Sequence, residues 1–325
     1  MKLAILGCEH MHAASYVVEG KKLPGVEIVG IAEPDRLRGI NFAQNFGVKY
    51  YETYEELINR ADVDAVVICS SNIKHANLTV AAARAKKHVI VEKPIATTIE
   101  DAEMMIEECK KNNVKLMVAL PVRYAPPIAR AKQVVESGRI GDIVAINGTN
   151  HGSMPGGWFT KKELSGGGAI IDHTIHVADL MHWMLKCDIK EVFAKSGNLI
   201  HDLEVEDTGL LFMEFENGTY ATLDTSWNRP ESFPTWGDVT MEIIGTKGTL
   251  NVDAFAQHGN LYSNNNNSSK HVGWGDDMNY LMIRDFVNCI REDKPSPVPG
   301  EDGLFALKVA LMAYDSVDKN EAVRW

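Results

Sequence analysis

The chain has 325 residues, of which 45% are hydrophobic and 24% charged, and its 33 basic and 44 acidic side chains give a formal net charge of −11 at pH 7. This composition is typical of a folded globular protein and excludes collagen-like, coiled-coil and disordered classes. The acidic balance and the lack of any run of about 20 apolar residues predict no nucleic-acid partner and no membrane span.

The five cysteines are scattered along the chain and include no C-x-x-C pair. An odd, dispersed set predicts reduced thiols in a cytoplasmic protein. Ile5-Leu6-Gly7-Cys8 resembles a lipoprotein cleavage box, but only seven residues precede Cys8, whereas a secretory signal has about 15–30 residues. We therefore interpret this apolar run as a buried first strand.

Residues 1 to about 120 alternate strand and helix patterns, which predicts a parallel sheet with helical crossovers. The strand-like runs are nearly continuous in apolar residues, as expected of strands covered on both faces. They are Lys2–Leu6, Val26–Ala32, Ala65–Cys69, His88–Val91 and Val114–Leu120. Helix patterns lie between them, at Leu37–Phe46, Tyr54–Arg60, Ala76–Ala85 and Ile99–Lys110, the last with Thr98 as N-cap. We expect an α/β fold with a doubly wound parallel sheet over residues 1–120.

After Pro121 the pattern changes. A helix pattern at Ile128–Ser137 is followed from residue 143 onward by alternating apolar residues, such as Leu210-Phe212-Phe215. The segment Glu216-Asn217-Gly218 gives a hairpin signal between two such runs. Residues 121–300 are therefore expected to form an α+β domain with an open, mostly antiparallel sheet.

The sequence also predicts the structure of two later segments. The irregular stretch Phe255–Gly275, with a polar tract at residues 264–269, predicts a solvated loop or a loop that caps a substrate pocket. The helical spacing at Gly303–Val317 leads us to expect that residues 301–325 pack back on the first domain.

The first strand runs directly into Gly7-Cys8-Glu9-His10-Met11-His12-Ala13, where a dinucleotide-binding fold carries G-x-G-x-x-G. Only the first glycine is present, since Glu9 takes the second position and His12 the third. The following helix N-terminus still offers backbone N–H groups and a positive dipole end to a pyrophosphate. His10 or His12 could add a donor or could be a packing residue. We expect a cofactor near Gly7, Glu9, His10 and Met11.

The second predicted strand ends at Glu33-Pro34-Asp35, which puts an acid where an adenosine ribose would lie. A carboxylate accepts hydrogen bonds from a 2′,3′-diol and repels a 2′-phosphate, so Glu33 predicts NAD rather than NADP. Arg36 and Arg38 are close enough in sequence to accommodate a phosphate. A turn with surface charges is the alternative interpretation.

Three further elements follow one another in an order and spacing that cover the whole chain. They are Cys69-Ser70-Ser71-Asn72-Ile73-Lys74-His75 with Lys87–Pro94 after it, Arg123-Tyr124-Ala125-Pro126 with Gly138-Arg139-Ile140-Gly141, and Gly166–Leu180. Together they resemble the Gfo/Idh/MocA oxidoreductases, typified by glucose–fructose oxidoreductase and inositol dehydrogenase. The glutamate-lysine-proline element and the glycine-rich D-x-x-x-H element are its specific part. The sequence departs from the family pattern at Glu9, His12 and His173.

The resemblance implies a Rossmann domain followed by a domain whose open sheet forms the substrate pocket and oligomer contacts. It implies that Lys93 lies beside the nicotinamide ribose and the reacting hydroxyl, with a cis bond before Pro94. It also implies that Asn72 to His75 run along the cofactor and that Arg123 and Trp158 approach the nicotinamide or substrate. The expected cofactor residues are thus Gly7, Glu9, His10, Met11, Glu33, Asn72, His75, Glu92, Lys93 and Arg123. The expected substrate residues are Lys93, Trp158, Asp172, His173 and His176.

The residue types suit the oxidation of a secondary alcohol, in which nicotinamide takes a hydride and the protein takes a proton. Histidine is the natural proton acceptor near neutral pH. Asp172 and His176 stand at i and i+4 on one helical face, so the carboxylate can orient the imidazole. Lys93 supplies positive charge against the developing alkoxide. Gly166-Gly167-Gly168 permits close approach of the backbone to a ligand.

Asp172, His173 and His176 lie within one helical turn and could form a metal site, with His151 or His182 as a further ligand. Asp172 and His173 should point about 100° apart on a helix, and no fourth ligand follows from the spacing. We therefore predict no metal.

The sequence predicts a homo-oligomeric, NAD-dependent dehydrogenase that acts on a secondary hydroxyl of a sugar, polyol or inositol-like substrate. Asp172, His176 and Lys93 would carry the catalysis. A non-catalytic NAD-binding sensor or regulator and a redox-neutral glycosidase that retains NAD are the alternatives.

Overall fold

The computed structural model describes residues 1–265 and 267–325. The chain divides into two compact units, each assembled from three segments. The first unit contains Met1–Pro121, Glu163–Gly166 and Asn279–Leu307. The second contains Val122–Lys162, Gly167–Met278 and Lys308–Trp325. Among the described residues, no helix combines the length and apolar character that crossing a bilayer requires.

A six-stranded parallel sheet forms the first unit, in the order β3-β2-β1-β4-β5-β6. Its strands are β1 (Lys2–Leu6), β2 (Glu27–Ala32), β3 (Tyr50–Tyr51), β4 (Ala65–Ile68), β5 (His88–Glu92) and β6 (Leu116–Ala119). The order confirms the doubly wound prediction, and because β1 pairs with β2 on one side and β4 on the other, the strand order reverses there. In such sheets ligands bind outside the carboxyl ends of the strands at this switch point.

Helices connect these strands as the sequence predicted. They are α1 (His12–Lys22), α2 (Arg36–Phe46), α3 (Tyr54–Ile58), α4 (His75–Arg84) and α5 (Ile99–Asn112). Asp35 caps α2 by accepting from the Arg38 N–H, and Thr98 caps α5 by accepting from the Asp101 N–H. The predicted Thr98 N-cap is therefore confirmed.

The later elements belong mainly to the second unit. They are α6 (Pro126–Glu136), β7 (Ile143–Gly152), α7 (Lys162–Ser165), α8 (Ala169–Leu185), β8 (Ile189–Gly197), β9 (Thr208–Phe215), β10 (Tyr220–Asp224), β11 (Gly237–Gly245), β12 (Gly248–Asp253), β13 (His258–Ser263), β14 (Ser268–Gly273), α9 (Met278–Arg291), α10 (Gly300–Lys319) and β15 (Val323–Arg324). Seven strands form one sheet in the order β12-β11-β7-β10-β9-β8-β15. Among the strand pairs of this sheet that the structure describes, only β7–β10 is parallel, which confirms a mostly antiparallel α+β unit.

Residues 301–325, which are expected to pack back on the first domain, are divided between the two units. Residues up to Leu307 belong to the first unit, whereas residues 308–325 belong to the second unit. The Ser316 hydroxyl accepts a hydrogen bond of 2.9 Å from the Ala194 N–H of β8. Strand β15 then pairs antiparallel with β8 and adds an edge to the seven-stranded sheet.

The stretch Phe255–Gly275 is not the irregular loop that its composition predicted. β13 and β14 pair over six residue positions as an antiparallel hairpin. The rings of His258 and His271 stack across it, with their centroids 3.7 Å apart. Of the polar tract at residues 264–269, Asn266 lies outside the described residues.

Candidate functional site

The turn after β1 has the geometry expected of the first glycine in a dinucleotide loop. Gly7 adopts φ +83°, and a Cβ placed on it would lie 3.0 Å from the backbone of Ser70. Its N–H donates to the Ala32 carbonyl at the end of β2, at 2.8 Å. Helix α1 begins at His12 directly afterwards, preceded by the exposed Met11. The loop therefore fits a dinucleotide, because a helix N-terminus is aimed at the carboxyl edge of the sheet.

Glu9 holds a set of polar groups at this edge. Its Oε2 accepts from the Ser71 N–H at 2.7 Å, and Lys74 Nζ lies 2.9 Å from its Oε1. Arg38 Nη2 donates to the same Oε1 at 3.3 Å. Burial raises the pKa of Glu9, but the bonds from Lys74 and Ser71 outweigh burial, so its pKa lies below the ordinary value. A carboxylate therefore binds the groups that would attract a cofactor phosphate.

Glu33 is fully buried at the end of β2. Its Oε2 accepts from the Cys8 N–H at 3.0 Å, and its Oε1 accepts from the Asp35 N–H at 3.0 Å and from Arg38 at 2.9 Å. The carboxylate thus fixes the loop after β1 against the start of α2. Its predicted contact with a ribose diol stays a prediction.

The two loop histidines lie against Glu92 at the end of β5. His12 Nδ1 is 2.9 Å and His10 Nδ1 3.7 Å from Glu92 Oε1. The hydroxyl of Tyr16 donates to that same oxygen at 2.5 Å. Burial raises the pKa of Glu92, but the charges of His10 and His12 reverse the effect and hold it well below its ordinary value. The contact with Glu92 was not foreseen, because it joins positions about 80 residues apart.

The other predicted cofactor residues of this unit are buried and fixed by backbone groups. Asn72 Nδ2 donates to the Ser165 carbonyl at 2.8 Å. His75 Nδ1 lies 2.9 Å from the Pro94 carbonyl, and burial lowers the pKa of this imidazole. Lys93 is 4% exposed, and the bond from Lys93 to Pro94 is cis, as the resemblance implied.

In the second unit, helix α8 starts from a glycine-rich turn that is packed by the protein itself. A Cβ on Gly167 would lie 1.9 Å from the Tyr314 hydroxyl, and one on Gly168 would lie 2.0 Å from the Glu206 carbonyl. Glu206 Oε1 accepts from the N–H groups of Gly168 and Ile170, both at 3.0 Å. The predicted reason for these glycines, close approach to a ligand, is thus corrected at positions 167 and 168. Protein groups approach there, and a carboxylate caps the helix.

Asp172 lies in the first turn of α8 and is buried. Its Oδ2 accepts from the indole Nε1–H of Trp227 at 3.0 Å and lies 3.3 Å from His173 Nε2. The expectation that Asp172 and His173 point apart is wrong, because the imidazole of a neighbouring residue can turn back toward the carboxylate. His176, one turn later, is 9% exposed. The structure therefore brings Asp172 and His173 together and adds Trp227, which no local pattern in the sequence indicates.

Arg123 and Trp158 have partners within the same unit. The guanidinium of Arg123 donates to both carboxylate oxygens of Asp179, at 2.5 and 2.6 Å, and both residues are buried. Trp158 stacks on Phe159 with ring centroids 3.9 Å apart. Asp179 was not predicted, although it stands seven residues after Asp172 on the same helix. The predicted roles of Arg123 and Trp158 toward a ligand stay predictions.

A doubly wound parallel sheet with a glycine turn at its switch point defines a dinucleotide-binding protein. Comparison of the sequence with family models identifies the family within this class of protein. The model described as "Oxidoreductase family, NAD-binding Rossmann fold" matches residues 1–120, and the "GFO/IDH/MocA C-terminal domain" matches residues 128–251. The chain belongs to the Gfo/Idh/MocA family of oxidoreductases, and its first unit is an NAD-binding domain.

The similarity to known proteins extends over nearly the whole chain. A myo-inositol 2-dehydrogenase from Thermotoga maritima is 29% identical over 304 residues, 89% of this chain and 88% of its own length. A scyllo-inositol 2-dehydrogenase (NAD(+)) from Bacillus subtilis is 26% identical over 97% of this chain and 94% of its own. The crystal structure of scyllo-inositol dehydrogenase from Lactobacillus casei, with bound NAD(H) and scyllo-inositol, superposes with a TM-score of 0.86. It is 25% identical and covers 100% of this chain and 98% of its own.

Proposed function

We propose that this protein oxidises a secondary hydroxyl of a cyclic polyol, a sugar or an inositol-like compound, with NAD as the hydride acceptor. The first unit would take the cofactor and the second the substrate. The observation that carries the proposal is the buried cluster on α8, where Trp227 fixes Asp172 one turn before His176. Inositol dehydrogenases among the similar proteins support the substrate class.

His176 would accept the proton of the substrate hydroxyl, and Asp172 would stabilise the imidazolium that forms. The carboxylate is suited to this work because the indole of Trp227 orients it and because it is buried. Lys93 would bind the reacting oxygen and stabilise its developing negative charge. NAD, when bound, supplies the acceptor for the hydride. His173, which lies 3.3 Å from the same carboxylate, and Trp158 would contact the substrate.

On the cofactor side, Gly7, Met11 and the start of α1 would approach the pyrophosphate, because Gly7 leaves the backbone open and α1 offers its N–H groups. Asn72, His75, Glu92 and Arg123 complete the proposed set. Glu33 would meet the adenosine ribose and favour NAD over NADP.

The test compares Lys93→Ala with the wild type. We expect kcat to fall about 10²–10³-fold, the usual effect of losing one group that stabilises the oxyanion, while the Kd for NAD stays nearly unchanged. Lys111→Ala, an exposed lysine on α5, is the matched control and should keep full activity. Reduced cofactor is followed by its fluorescence with a panel of inositols, sugars and linear polyols.

Two results would contradict the scheme. Full activity of Lys93→Ala would exclude the role of this lysine. A wild type that binds NAD and reduces none of it with any member of the panel would exclude the substrate class and favour a sensor or a redox-neutral enzyme.

We also propose that the protein is a cytoplasmic homo-oligomer. One face of the seven-stranded sheet exposes Leu210, Phe212 and Tyr220, and the rings of Phe212 and Tyr220 stack with centroids 6.3 Å apart. Such a contiguous apolar patch is typical of an interface. Light scattering of the wild type and of Phe212→Glu tests the assembly: the wild type should be oligomeric and the variant smaller. The five free cysteines agree with a reducing compartment.

A further inference from the structure

The loop after β1 and the end of β5 bring three potential metal ligands together inside the first unit. One ligand atom each from His10, His12 and Glu92 lies within 4.8 Å of the others. His12 Nδ1 is 2.9 Å and His10 Nδ1 3.7 Å from Glu92 Oε1. The two imidazole rings lie 4.4 Å apart between centroids. Glu92 and His12, the first residue of α1, also belong to the proposed cofactor side, but these distances do not depend on the proposed hydride transfer.

The carboxylate in this group is held in a fixed orientation. Tyr16, one turn after His12 on α1, donates its hydroxyl proton to Oε1 at 2.5 Å. The Lys93 N–H donates to the other oxygen, Oε2, at 3.0 Å. Hydrogen bonds of this kind orient the ligands of metal sites in other proteins, and their loss typically lowers metal affinity about 10–100-fold.

We propose that His10, His12 and Glu92 bind one divalent transition-metal ion of the zinc class. Two imidazoles and one carboxylate form a donor set used by zinc sites that keep an open position, and also suit Fe²⁺. Ligand bonds of about 2.0–2.2 Å in a tetrahedron place the ligand atoms roughly 3.3–3.5 Å apart. The separations of Glu92 Oε1 from His12 Nδ1 and His10 Nδ1, 2.9 and 3.7 Å, lie on either side of that value. To bind the ion, His10 Nδ1 would release the His12 N–H from which it now accepts at 3.2 Å.

The negative charge of Glu92 and the solvent exposure of His12 both suit a bound cation. Glu92 is fully buried, and a buried carboxylate needs a positive partner to offset its loss of hydration. A dication bound by the two neutral imidazoles would supply that charge. The side chain of His12 is 30% exposed, which leaves a path for the ion and a coordination position for water. A proton shared between His12 and Glu92 is the competing source of positive charge. In that case the protein, once stripped of metal, should take up no ion.

This site differs from the candidate metal site at Asp172, His173 and His176. The sequence predicts no metal there, because the spacing on α8 indicates no complete ligand set. The group at Glu92 combines an H-x-H segment with a carboxylate about 80 residues away, and no spacing rule connects them.

The test uses the full chain, stripped of metal with a chelator and then titrated with Co²⁺, whose visible absorption reports the geometry of its ligands. We expect one Co²⁺ per chain with a tetrahedral or five-coordinate spectrum, and one Zn²⁺ per chain by elemental analysis after Zn²⁺ loading. Tyr16→Phe should lower the affinity for the ion about 10–100-fold, as the loss of hydrogen bonds to metal ligands does in other proteins. His12→Ala should lower this affinity further, because it removes a ligand.

His12→Ala is the decisive variant because the side chain is partly exposed and its removal leaves the strands intact. His88→Ala, a histidine of the same unit outside the group, is the control and should bind the ion like the wild type. Circular dichroism checks that each variant is folded. Uptake of no ion by the stripped wild type, or unchanged uptake by folded His12→Ala, would overturn the proposal. The first result would favour the proton shared with Glu92.

Discussion

The indole Nε1–H of Trp227 donates a hydrogen bond of 3.0 Å to Oδ2 of Asp172, across 55 residues of sequence. Trp227 is fully buried, so bulk water does not compete for this donor. The carboxylate that should orient His176 is therefore itself oriented by a residue that takes no part in proton transfer. Trp227 is in this sense a positioning residue.

Trp227→Phe keeps most of the aromatic volume and removes the donor. A hydrogen bond to a charged group contributes about 1.5–3 kcal/mol, so we expect kcat to fall about 10–100-fold while the KM for NAD is unchanged. The pH profile of kcat should also shift, because Asp172 would stabilise the imidazolium less well. Trp325→Phe, an exposed tryptophan of the same unit, is the control. A variant with lowered stability but the wild-type kcat and pH profile would show that Trp227 is only a packing residue.

Glu9→Gln should strengthen the binding of NAD. The carboxylate of Glu9 now engages the Ser71 N–H, Lys74 and Arg38, and a pyrophosphate brought close to it would be repelled. Removing the charge while keeping the shape should lower the Kd for NAD roughly tenfold, which corresponds to about 1.4 kcal/mol. Fluorescence titration at low salt measures the effect, and added salt should reduce it. Weaker binding in the variant would instead identify Glu9 as a direct ligand of the cofactor.

The stability of the protein should fall at alkaline pH because of His151. Its Nε2 lies 3.1 Å from Asp224 and its Nδ1 3.0 Å from Asp238. Burial lowers the pKa of His151, but the hydrogen bonds to Asp224 and Asp238 outweigh burial and raise it from 6.5 to about 9. A raised pKa in the folded state means that the contribution is complete below about pH 6.5 and is lost as the pH rises through about 9.

The loss amounts to at most about 3.4 kcal/mol in the free energy of unfolding, from 1.36 kcal/mol per pKa unit. Urea unfolding between about pH 6 and about pH 10 measures it, with His151→Asn as the reference. The wild-type advantage over this variant should shrink as the pH rises. An advantage that stays constant would show that the imidazole is not charged in the folded protein.

Gly167→Ala should destabilise the second unit. A methyl group there would lie 1.9 Å from the Tyr314 hydroxyl, which also accepts from the Gly168 N–H at 3.2 Å. Forcing one extra carbon into a packed site costs about 1–3 kcal/mol. Thermal unfolding measures the loss, and Gly259→Ala, where a Cβ would meet nothing within 4 Å, should melt like the wild type. An unchanged melting temperature in Gly167→Ala would mean that Tyr314 can move away without loss.

The sequence by itself determined the first unit and the class of protein. Continuous apolar runs indicate strands buried on both faces, and the glycine after β1 marks the turn, because both signals are local. The order of its motifs likewise predicted the family, and the expectation at Lys93-Pro94 was met by a cis bond.

Tertiary structure decided what depends on distant partners. Alternation in β9 indicated two faces, but only the fold shows that Leu211 and Met213 are buried while Leu210 and Phe212 are exposed. The cap that Glu206 places on α8 and the contact of His12 with Glu92 join residues 36 to 80 positions apart. Periodicity describes each element alone, whereas hydrogen bonds between elements form only after the chain has packed.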